Sequence, residues 1–241
     1  MALIERTPEA YAAAFERERK NEYPIIDEFE RRMGYAVDRE RLEAAARVLA
    51  CPVKKNPPNW QHGRLVYALG KRVLSRQLEP SGVWLDVGTA KGFSALCMAW
   101  ALADAGAHYV PVFSFDVIDP ESREPRNSVE DGKTIDEFVQ PFMPEGENVF
   151  VDFQQGSLAI WAKAVNLQAS VRFAFIDGSH QYDNVKSDIS IVTPRQQSGD
   201  IILFDDLQKS DVARAVSELQ GYDLEYIEVL PTRKYAIAVK Q

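Results

Sequence analysis

FAFIDGSH at residues 173–180 and IILFDD at residues 201–206 decide the fold of this chain. Each stretch begins with a short apolar run and continues into acidic residues. Runs of this kind are typical of strands buried on both faces of a parallel sheet, and the carboxyl ends of parallel strands meet at one edge. The sequence therefore predicts that Asp177, Asp205 and Asp206 lie side by side at that edge.

These carboxylates also predict a cation site. Crowded carboxylates repel one another, and without a counter-ion at least one of them is driven towards protonation. Mg²⁺ and similar hard cations accept such oxygens while they keep several waters. We therefore expect Asp177, Asp205 and Asp206 to bind Mg²⁺ or another divalent cation.

Strands and helices alternate from Val83 onward, which predicts a doubly wound α/β sheet. The last two strand candidates are separated by only five residues, which include Pro231, so we expect an antiparallel hairpin at the end of an otherwise parallel sheet. The predicted strands are Val83–Val87, Val112–Val117, Val149–Phe153, Phe173–Ile176, Ile201–Phe204, Leu224–Val229 and Tyr235–Val239.

The first 80 residues are predicted to be helical and to contain no strand. The pattern covers Pro8–Met33 and Asp38–Ala50, is interrupted at Pro52–Pro58, and resumes from a cap at Asn59 to about Leu78. We interpret residues 1–80 as a helical cap on an α/β domain of residues 81–241. The charged first helix can alternatively mediate homo-oligomerisation.

Composition narrows the class of protein. The 241 residues carry a net charge of −8, which argues against a nucleic-acid backbone as the main partner. Cys51 and Cys97 are too few for a disulfide framework, and no apolar run approaches the roughly 18 residues that span a bilayer. The first eight residues lack the apolar core of a secretion signal. We therefore expect a cytoplasmic protein that binds a small molecule and neither nucleic acid nor membrane.

WLDVGTAKGFS at residues 84–94 predicts a strand, a glycine turn and a helix. Gly88 allows a close approach of the backbone to a ligand, and Gly92 allows the helix to start near the strand. The turn lacks the Gly-x-Gly-x-x-Gly of dinucleotide sites, and Lys91 is not followed by the Ser or Thr of a phosphate loop. A ligand without a pyrophosphate therefore fits better.

Two later strand ends add candidate ligand contacts. Asp116 ends the second strand, where a carboxylate can accept hydrogen bonds from both hydroxyls of a ribose. The alternatives are that Asp116 is a turn or capping residue, or that Asp119 is the ribose acid. Ser157, after Gly156, can either face an adenine edge or cap the next helix.

These features together resemble the class I S-adenosylmethionine-dependent methyltransferases over residues 80–241. The resemblance implies a Rossmann-like, mostly parallel seven-stranded sheet. Within that superfamily, IDGSHQYDNVKSD at 176–188 followed by GDIILFDD at 199–206 is similar to the metal-dependent O-methyltransferases. These include macrocin-type and mycinamicin-type sugar methyltransferases, cephalosporin hydroxylase-like proteins and, by spacing, catechol O-methyltransferases. The matching positions imply that the cofactor is bound by Asp86, Gly88, Thr89, Gly92, Phe93, Ser94, Asp116, Gly156, Ser157 and Asp177.

The resemblance also implies a mechanism. In those families the acids that match Asp177, Asp205 and Asp206 hold a divalent cation, and a cation lowers the pKa of a hydroxyl that it coordinates. His180, on the same loop as Asp177, then resembles the base that takes the hydroxyl proton, or it only shapes the turn. The chain departs from the family at Ser157, where an acid is more usual, and at Gln197–Asp200, where Lys-Pro-Gly-Gly is usual.

The sequence thus favours a metal-dependent O-methyltransferase that acts on a hydroxyl of a small molecule, such as a sugar or a phenol. The alternatives are a non-catalytic or regulatory S-adenosylmethionine-binding protein and a nicotinamide-dependent oxidoreductase, which the missing third glycine disfavours. Asp183 and Asp188 are expected to be solvent-facing or helix-capping acids outside the site.

Overall fold

A computed structural model describes residues 7–50, 59–76, 81–124, 130, 132–145 and 149–241. The predictions on Cys51, on the Pro52–Pro58 break and on the helix end at Leu78 lie outside the described residues. The helices are α1 (Pro8–Glu18), α2 (Pro24–Met33), α3 (Arg39–Leu49), α4 (His62–Ser75), α5 (Phe93–Ala103), α6 (Ile135–Val139), α7 (Leu158–Ala164), α8 (Tyr182–Val192) and α9 (Ser210–Ser217). The strands are β1 (Val83–Val87), β2 (Val112–Asp116), β3 (Val151–Gln155), β4 (Val171–Ile176), β5 (Ile201–Phe204), β6 (Tyr222–Leu230) and β7 (Arg233–Lys240).

The strands form one seven-stranded sheet in the order β3-β2-β1-β4-β5-β7-β6. Neighbouring strands from β3 to β5 pair in parallel, whereas β7 pairs antiparallel with both β5 and β6. This topology confirms the predicted fold class. The chain proceeds outward from β1 to β3 on one side and from β4 to β5 on the other, so the strand order reverses between β1 and β4. In open α/β sheets, a reversal of this kind places a ligand crevice at the carboxyl ends of the strands.

Several predicted element boundaries differ from the structure, and those of β3, the final hairpin and the first helix differ most. β3 begins at Val151 and ends with two polar residues. The prediction missed this end because β3 is a partly buried edge strand, and its last residues carry no apolar pattern. The final hairpin is longer than predicted, and only Pro231 and Thr232 connect β6 to β7. The predicted helix over Pro8–Met33 is two helices, since Pro24 lacks the amide that would continue a helix and instead begins α2.

The N-terminal helices share a core with one face of the sheet. Trp60 and Leu65 are buried in the same cluster as Phe173 of β4 and Leu203 of β5. The opposite face is covered by α7, α8 and α9. No helix in the described part of the chain has both the length and the apolar character needed to cross a bilayer.

A buried ion pair joins two of the N-terminal helices. Arg64 of α4 is fully buried, and its Nε donates a hydrogen bond to Glu30 of α2 at 2.9 Å. The Arg64 guanidinium also pairs with Asp27. A buried charge is costly unless it is paired, so these contacts fix α4 against α2 above the sheet.

Candidate functional site

A cleft with a volume of about 1130 Å³ follows the carboxyl edge of the sheet from β2 to the β6–β7 hairpin. This volume is slightly above the usual range for small-molecule sites, about 300–1,000 Å³. Five of the predicted cofactor residues line the cleft: Gly88, Asp116, Gly156, Ser157 and Asp177. The predicted base, His180, and a second predicted metal ligand, Asp206, also line it.

Gly88 is the point where the β1 turn contacts the β4 turn. It has a φ of +106°, and a Cβ atom at this position would lie 2.4 Å from the carbonyl oxygen of Asp177. The Asp177 amide also donates to the carbonyl of Val87 at 2.8 Å. A glycine is therefore required here by the approach of a second strand end, in addition to the ligand approach that the sequence suggests.

The remaining predicted cofactor residues lie behind the cleft. Asp86, Thr89, Gly92, Phe93 and Ser94 are all buried, and the residues that line the cleft do not include them. Asp86 accepts a hydrogen bond from the Ser114 hydroxyl at 2.6 Å, and Ser114 lies 2.6 Å from the Thr89 hydroxyl. Burial raises the pKa of Asp86 to about 6. In this structure, these residues support the cleft and do not line it.

Asp116 is placed to bind a diol. Its carboxylate accepts hydrogen bonds from the amides of Ala90 at 2.8 Å and Ile118 at 3.1 Å. Each carboxylate oxygen retains lone-pair capacity, so Asp116 can also accept from two hydroxyls in the cleft. The alternative acid, Asp119, accepts from the amide of Glu121 at 2.9 Å and does not line the cleft.

Ser157 is a helix cap that also lines the cleft. Its hydroxyl accepts from the Ile160 amide at 3.3 Å and caps α7, while the residue also lines the cleft next to Gly156. A capping serine keeps its hydroxyl hydrogen for another acceptor. Ser157 can therefore donate one hydrogen bond into the cleft.

Asp177, His180 and Asp206 form a cluster in which one ligand atom of each lies within 4.8 Å of the others. His180 Nε2 lies 2.6 Å from Asp206 Oδ2. Asp206 adopts a left-handed φ of 56°, which is uncommon outside glycine, and the side-chain amide Nε2 of Gln208 donates to its Oδ1. The strand ends and this turn thus bring together two of the three predicted metal ligands and the predicted base.

The donor set fits a divalent cation. Carboxylates suit Mg²⁺ and Mn²⁺, and an imidazole nitrogen suits transition metals. A second observation at this site is the Tyr235 hydroxyl, which is buried and has no hydrogen-bond partner in the described part of the chain. Burial and the nearby charge of Asp205 raise the pKa of Tyr235 well above its usual value. Tyr235 therefore stays protonated, and its hydroxyl is a buried donor next to Asp205.

Asp205 lies outside this cluster. Its fully buried carboxylate accepts from Arg233 Nη1 at 2.9 Å and from the Asp206 amide at 2.5 Å. Burial raises the pKa of Asp205 to about 6 against the opposing effect of Arg233. The structure therefore pairs the third predicted ligand with an arginine of the C-terminal hairpin.

Two residues of the site were not predicted from the sequence. Arg233 lies at the start of β7 next to Lys234, and nothing in the local sequence distinguishes it as the partner of an acid at the sheet edge. The prediction that Asp188 faces solvent or caps a helix is wrong, because its carboxyl is 8% exposed and lines the cleft. Burial raises the pKa of Asp188 to about 6. It lies on the buried stripe of α8 with Val185, Ile189 and Val192, and this helical spacing is visible in the sequence.

The sheet order β3-β2-β1-β4-β5-β7-β6, with β7 antiparallel to its neighbours, is that of the Rossmann-like methyltransferase fold. The profile of a methyltransferase domain family matches residues 85–207, just over half of the chain. The chain belongs to this methyltransferase domain family. Among curated proteins, no sequence matches it.

Several solved structures share the fold. The chain is 13% identical to the O-methyltransferase from Bacillus cereus in complex with SAH, with a TM-score of 0.58 and coverage of 85% of this chain and 92% of that one. It is 14% identical to the O-methyltransferase TomG from Streptomyces achromogenes, involved in tomaymycin synthesis and solved with SAM, with a TM-score of 0.57 and coverage of 86% and 92%. For CalS11, a TDP-rhamnose 3'-O-methyltransferase of calicheamicin biosynthesis, the identity is 16%, the TM-score 0.55 and the coverage 81% and 92%.

Proposed function

We propose that this protein transfers a methyl group from S-adenosylmethionine to a hydroxyl of a small molecule, with the help of a divalent cation. The observation that carries the proposal is the cluster of Asp177, His180 and Asp206 at one end of the cleft. The other end of the same cleft contains the glycine turns and Asp116. A cofactor and an acceptor can therefore lie side by side along one sheet edge.

The half of the cleft lined by Gly88, Asp116, Gly156 and Ser157, which we call the cofactor half, fits an adenosine that carries no phosphate. Asp116 would accept hydrogen bonds from the ribose hydroxyls, and Ser157 would donate one towards the adenine. Gly88 and Gly156 lie in the same half, and both have a positive φ. Two proteins of the same fold were solved with S-adenosylmethionine or S-adenosylhomocysteine, which supports the choice of cofactor.

The acidic half would hold the cation. Asp177 and Asp206 would supply carboxylate oxygens, while the third predicted ligand, Asp205, is paired with Arg233 and lies behind them. When bound, a divalent cation lowers the pKa of a hydroxyl that it coordinates. Mg²⁺ and Mn²⁺ both fit the two carboxylates, which leaves His180 to accept a proton.

His180 would accept the acceptor's proton. An ionised Asp206 can only accept a hydrogen bond, so the 2.6 Å contact places the proton of a neutral His180 on Nε2. Nδ1 is then free to take the hydroxyl proton, and Asp206 stabilises the imidazolium that forms. The acceptor oxygen bonds to the methyl carbon as the carbon–sulfur bond breaks, which leaves S-adenosylhomocysteine. Placing oxygen, methyl carbon and sulfur in line supplies much of the rate.

The acceptor would be a hydroxylated small molecule of sugar or phenolic type. CalS11, a protein of the same fold, is a TDP-rhamnose 3'-O-methyltransferase. This favours testing sugars first. The net charge of −8 disfavours nucleic acid as an acceptor. We also propose that the protein is cytoplasmic and that it forms homo-oligomers through its N-terminal helices.

The test is a screen of the purified protein against hydroxylated sugars and phenols, with release of S-adenosylhomocysteine as the readout. We expect release that requires both the acceptor and Mg²⁺ or Mn²⁺, and that chelation of the metal abolishes. Turnover that is unchanged with chelator would remove the cation from the mechanism. Calorimetry with S-adenosylmethionine and with NAD tests the cofactor, since NAD binding without a response to S-adenosylmethionine would overturn the proposal.

The base is tested with the same assay. His180→Ala is expected to lower kcat by about 100-fold or more while the KM of the acceptor changes little. An unchanged rate and pH profile would mean that His180 only shapes the turn.

A further inference from the structure

From the contacts around Asp205, we infer that this residue acts as the counter-ion of Arg233 and does not ligate the metal, and that Arg233 thereby limits the affinity of the cation site. The inference rests on the proposed function, because it concerns the same cluster of Asp177, His180 and Asp206. It assigns different roles to the two adjacent acids, Asp205 and Asp206.

The contacts of Asp205 leave no accessible oxygen. Its side chain is 0% exposed, one oxygen accepts from Arg233 and the other accepts from the Asp206 amide. Asp206, in contrast, is partly exposed, lines the cleft and lies within reach of Asp177 and His180. Both oxygens of Asp206 have partners too, Gln208 and His180, but this residue lines the cleft, so a hydrated cation can displace these contacts from the cleft side. It would reach Asp205 only by breaking the buried pair with Arg233.

The backbone holds Arg233 in this place. β7 pairs with β5 so that Ala236 is opposite Phe204, which brings the start of β7 alongside the two acids. The amide of Lys234 donates to the side chain of Gln208 at 2.9 Å, and Gln208 in turn donates to Asp206. The hairpin and the Asp206 turn are thus tied together, which keeps the backbone that carries Arg233 beside the two acids.

The summed charge of the three aspartates and Arg233 matches that of one divalent ion. Asp177, Asp205 and Asp206 contribute three negative charges and Arg233 one positive charge, which leaves two negative charges. Arg233 Nη1 lies 3.5 Å from Asp206 Oδ1, close enough to weaken the attraction of that carboxylate for a metal. The guanidinium would keep the cation exchangeable, since a site with the full charge of three carboxylates would bind it more tightly.

The inference is tested by titrating Mn²⁺ into the full-length protein and recording the signal of the free ion by electron paramagnetic resonance. Arg233→Met is expected to tighten Mn²⁺ binding about tenfold, and Asp205→Asn to weaken it by about the same factor, because each changes the charge of the site by one unit. The decisive variant is Asp205→Asn combined with Arg233→Met. It restores the net charge, so its affinity should lie within about threefold of wild type.

The matched control is Asp206→Asn combined with Arg233→Met. It has the same net charge but lacks a ligand, so it should bind Mn²⁺ at least about tenfold more weakly than wild type. If both double variants are equally weak, Asp205 is a ligand and the inference is overturned. Arg233→Met alone leaves a buried charge unpaired and can fail to fold, in which case the two double variants still decide the question. Failure of wild type itself to bind Mn²⁺ refutes the cation of the proposed function, a different outcome from loss in the Asp205 double variant.

Discussion

The two halves of the cleft stabilise their acids in different ways. At the ends of β1 and β2, Asp86 is hydrogen-bonded to Ser114, and Asp116 is held by the amides of Ala90 and Ile118. At the ends of β4 and β5 the acids instead face each other, and their partners are Arg233 and His180. The cofactor half is therefore organised by hydrogen bonds that persist without a ligand, whereas the acidic half depends on a balance of charge.

The largest effect is expected where the two halves touch. Gly88→Ala would place a Cβ 2.4 Å from the Asp177 carbonyl oxygen at a residue with φ +106°. Backbone strain and the clash together should lower the free energy of unfolding by about 4 kcal/mol. Binding of both S-adenosylmethionine and Mn²⁺ should weaken, because the turn joins the two sites. Urea unfolding and calorimetry measure the two effects.

The control for this variant is Gly106→Ala. Gly106 has a φ of +69° but no atom within 4 Å of its Cβ position, so only the cost of the backbone conformation, about 1 kcal/mol, is expected. Equal losses for the two variants would show that the contact with Asp177 contributes nothing.

The second largest effect is expected on the affinity for S-adenosylmethionine alone, which distinguishes the cofactor half from the acidic half. Asp116→Ala removes an acceptor of the ribose hydroxyls and the partner of the Ala90 amide, so the affinity for S-adenosylmethionine should fall about 100-fold. The affinity for Mn²⁺ should stay unchanged, since Asp116 is not part of the acidic cluster. Asp119→Ala, a neighbouring acid that does not line the cleft, is the control and should alter neither affinity. A comparable loss in both acid variants would contradict the assignment of the ribose site.

The smallest effect is on the pH dependence of stability. Burial raises the pKa of Asp86 from 3.8 to about 6, so the folded protein binds the proton more tightly than the unfolded chain and loses stability as the pH rises through this range. The asparagine of the Asp86→Asn variant has no titratable proton, so it stays neutral across this pH range. The stability of Asp86→Asn relative to wild type should therefore increase by about 2 kcal/mol between about pH 4 and pH 8. Urea unfolding across this range is the measurement, and parallel profiles would contradict a buried, titrating Asp86.

The sequence predicted the features that depend on local pattern. Apolar runs located β1, β4 and β5, and the acids that follow β4 and β5 lie at the predicted edge of the sheet. The short connection at Pro231 predicted the antiparallel hairpin. Strand ends are determined by the local succession of apolar and polar residues, so they can be read from the sequence.

The roles of individual acids could not be predicted in the same way. Asp205 and Asp206 are adjacent in sequence, yet one is buried against Arg233 and the other lines the cleft. The left-handed backbone of Asp206 turns the chain after Asp205, and the partner of Asp205, Arg233, comes from the hairpin 28 residues later. Tertiary contacts over this distance have no local signal. Asp188 was missed for a different reason, since its helical spacing was present but its acidic character suggested solvent exposure.

The central claim is that one cleft holds S-adenosylmethionine and a divalent cation in its two halves. The most direct test is a crystal structure with S-adenosylhomocysteine and Mn²⁺, in which anomalous scattering locates the metal. We predict a manganese peak within about 2.5 Å of carboxylate oxygens of both Asp177 and Asp206, with Asp205 still paired to Arg233 and the ribose on Asp116. A structure with the nucleoside bound but no manganese at this cluster, or with the ribose away from Asp116, would contradict the account.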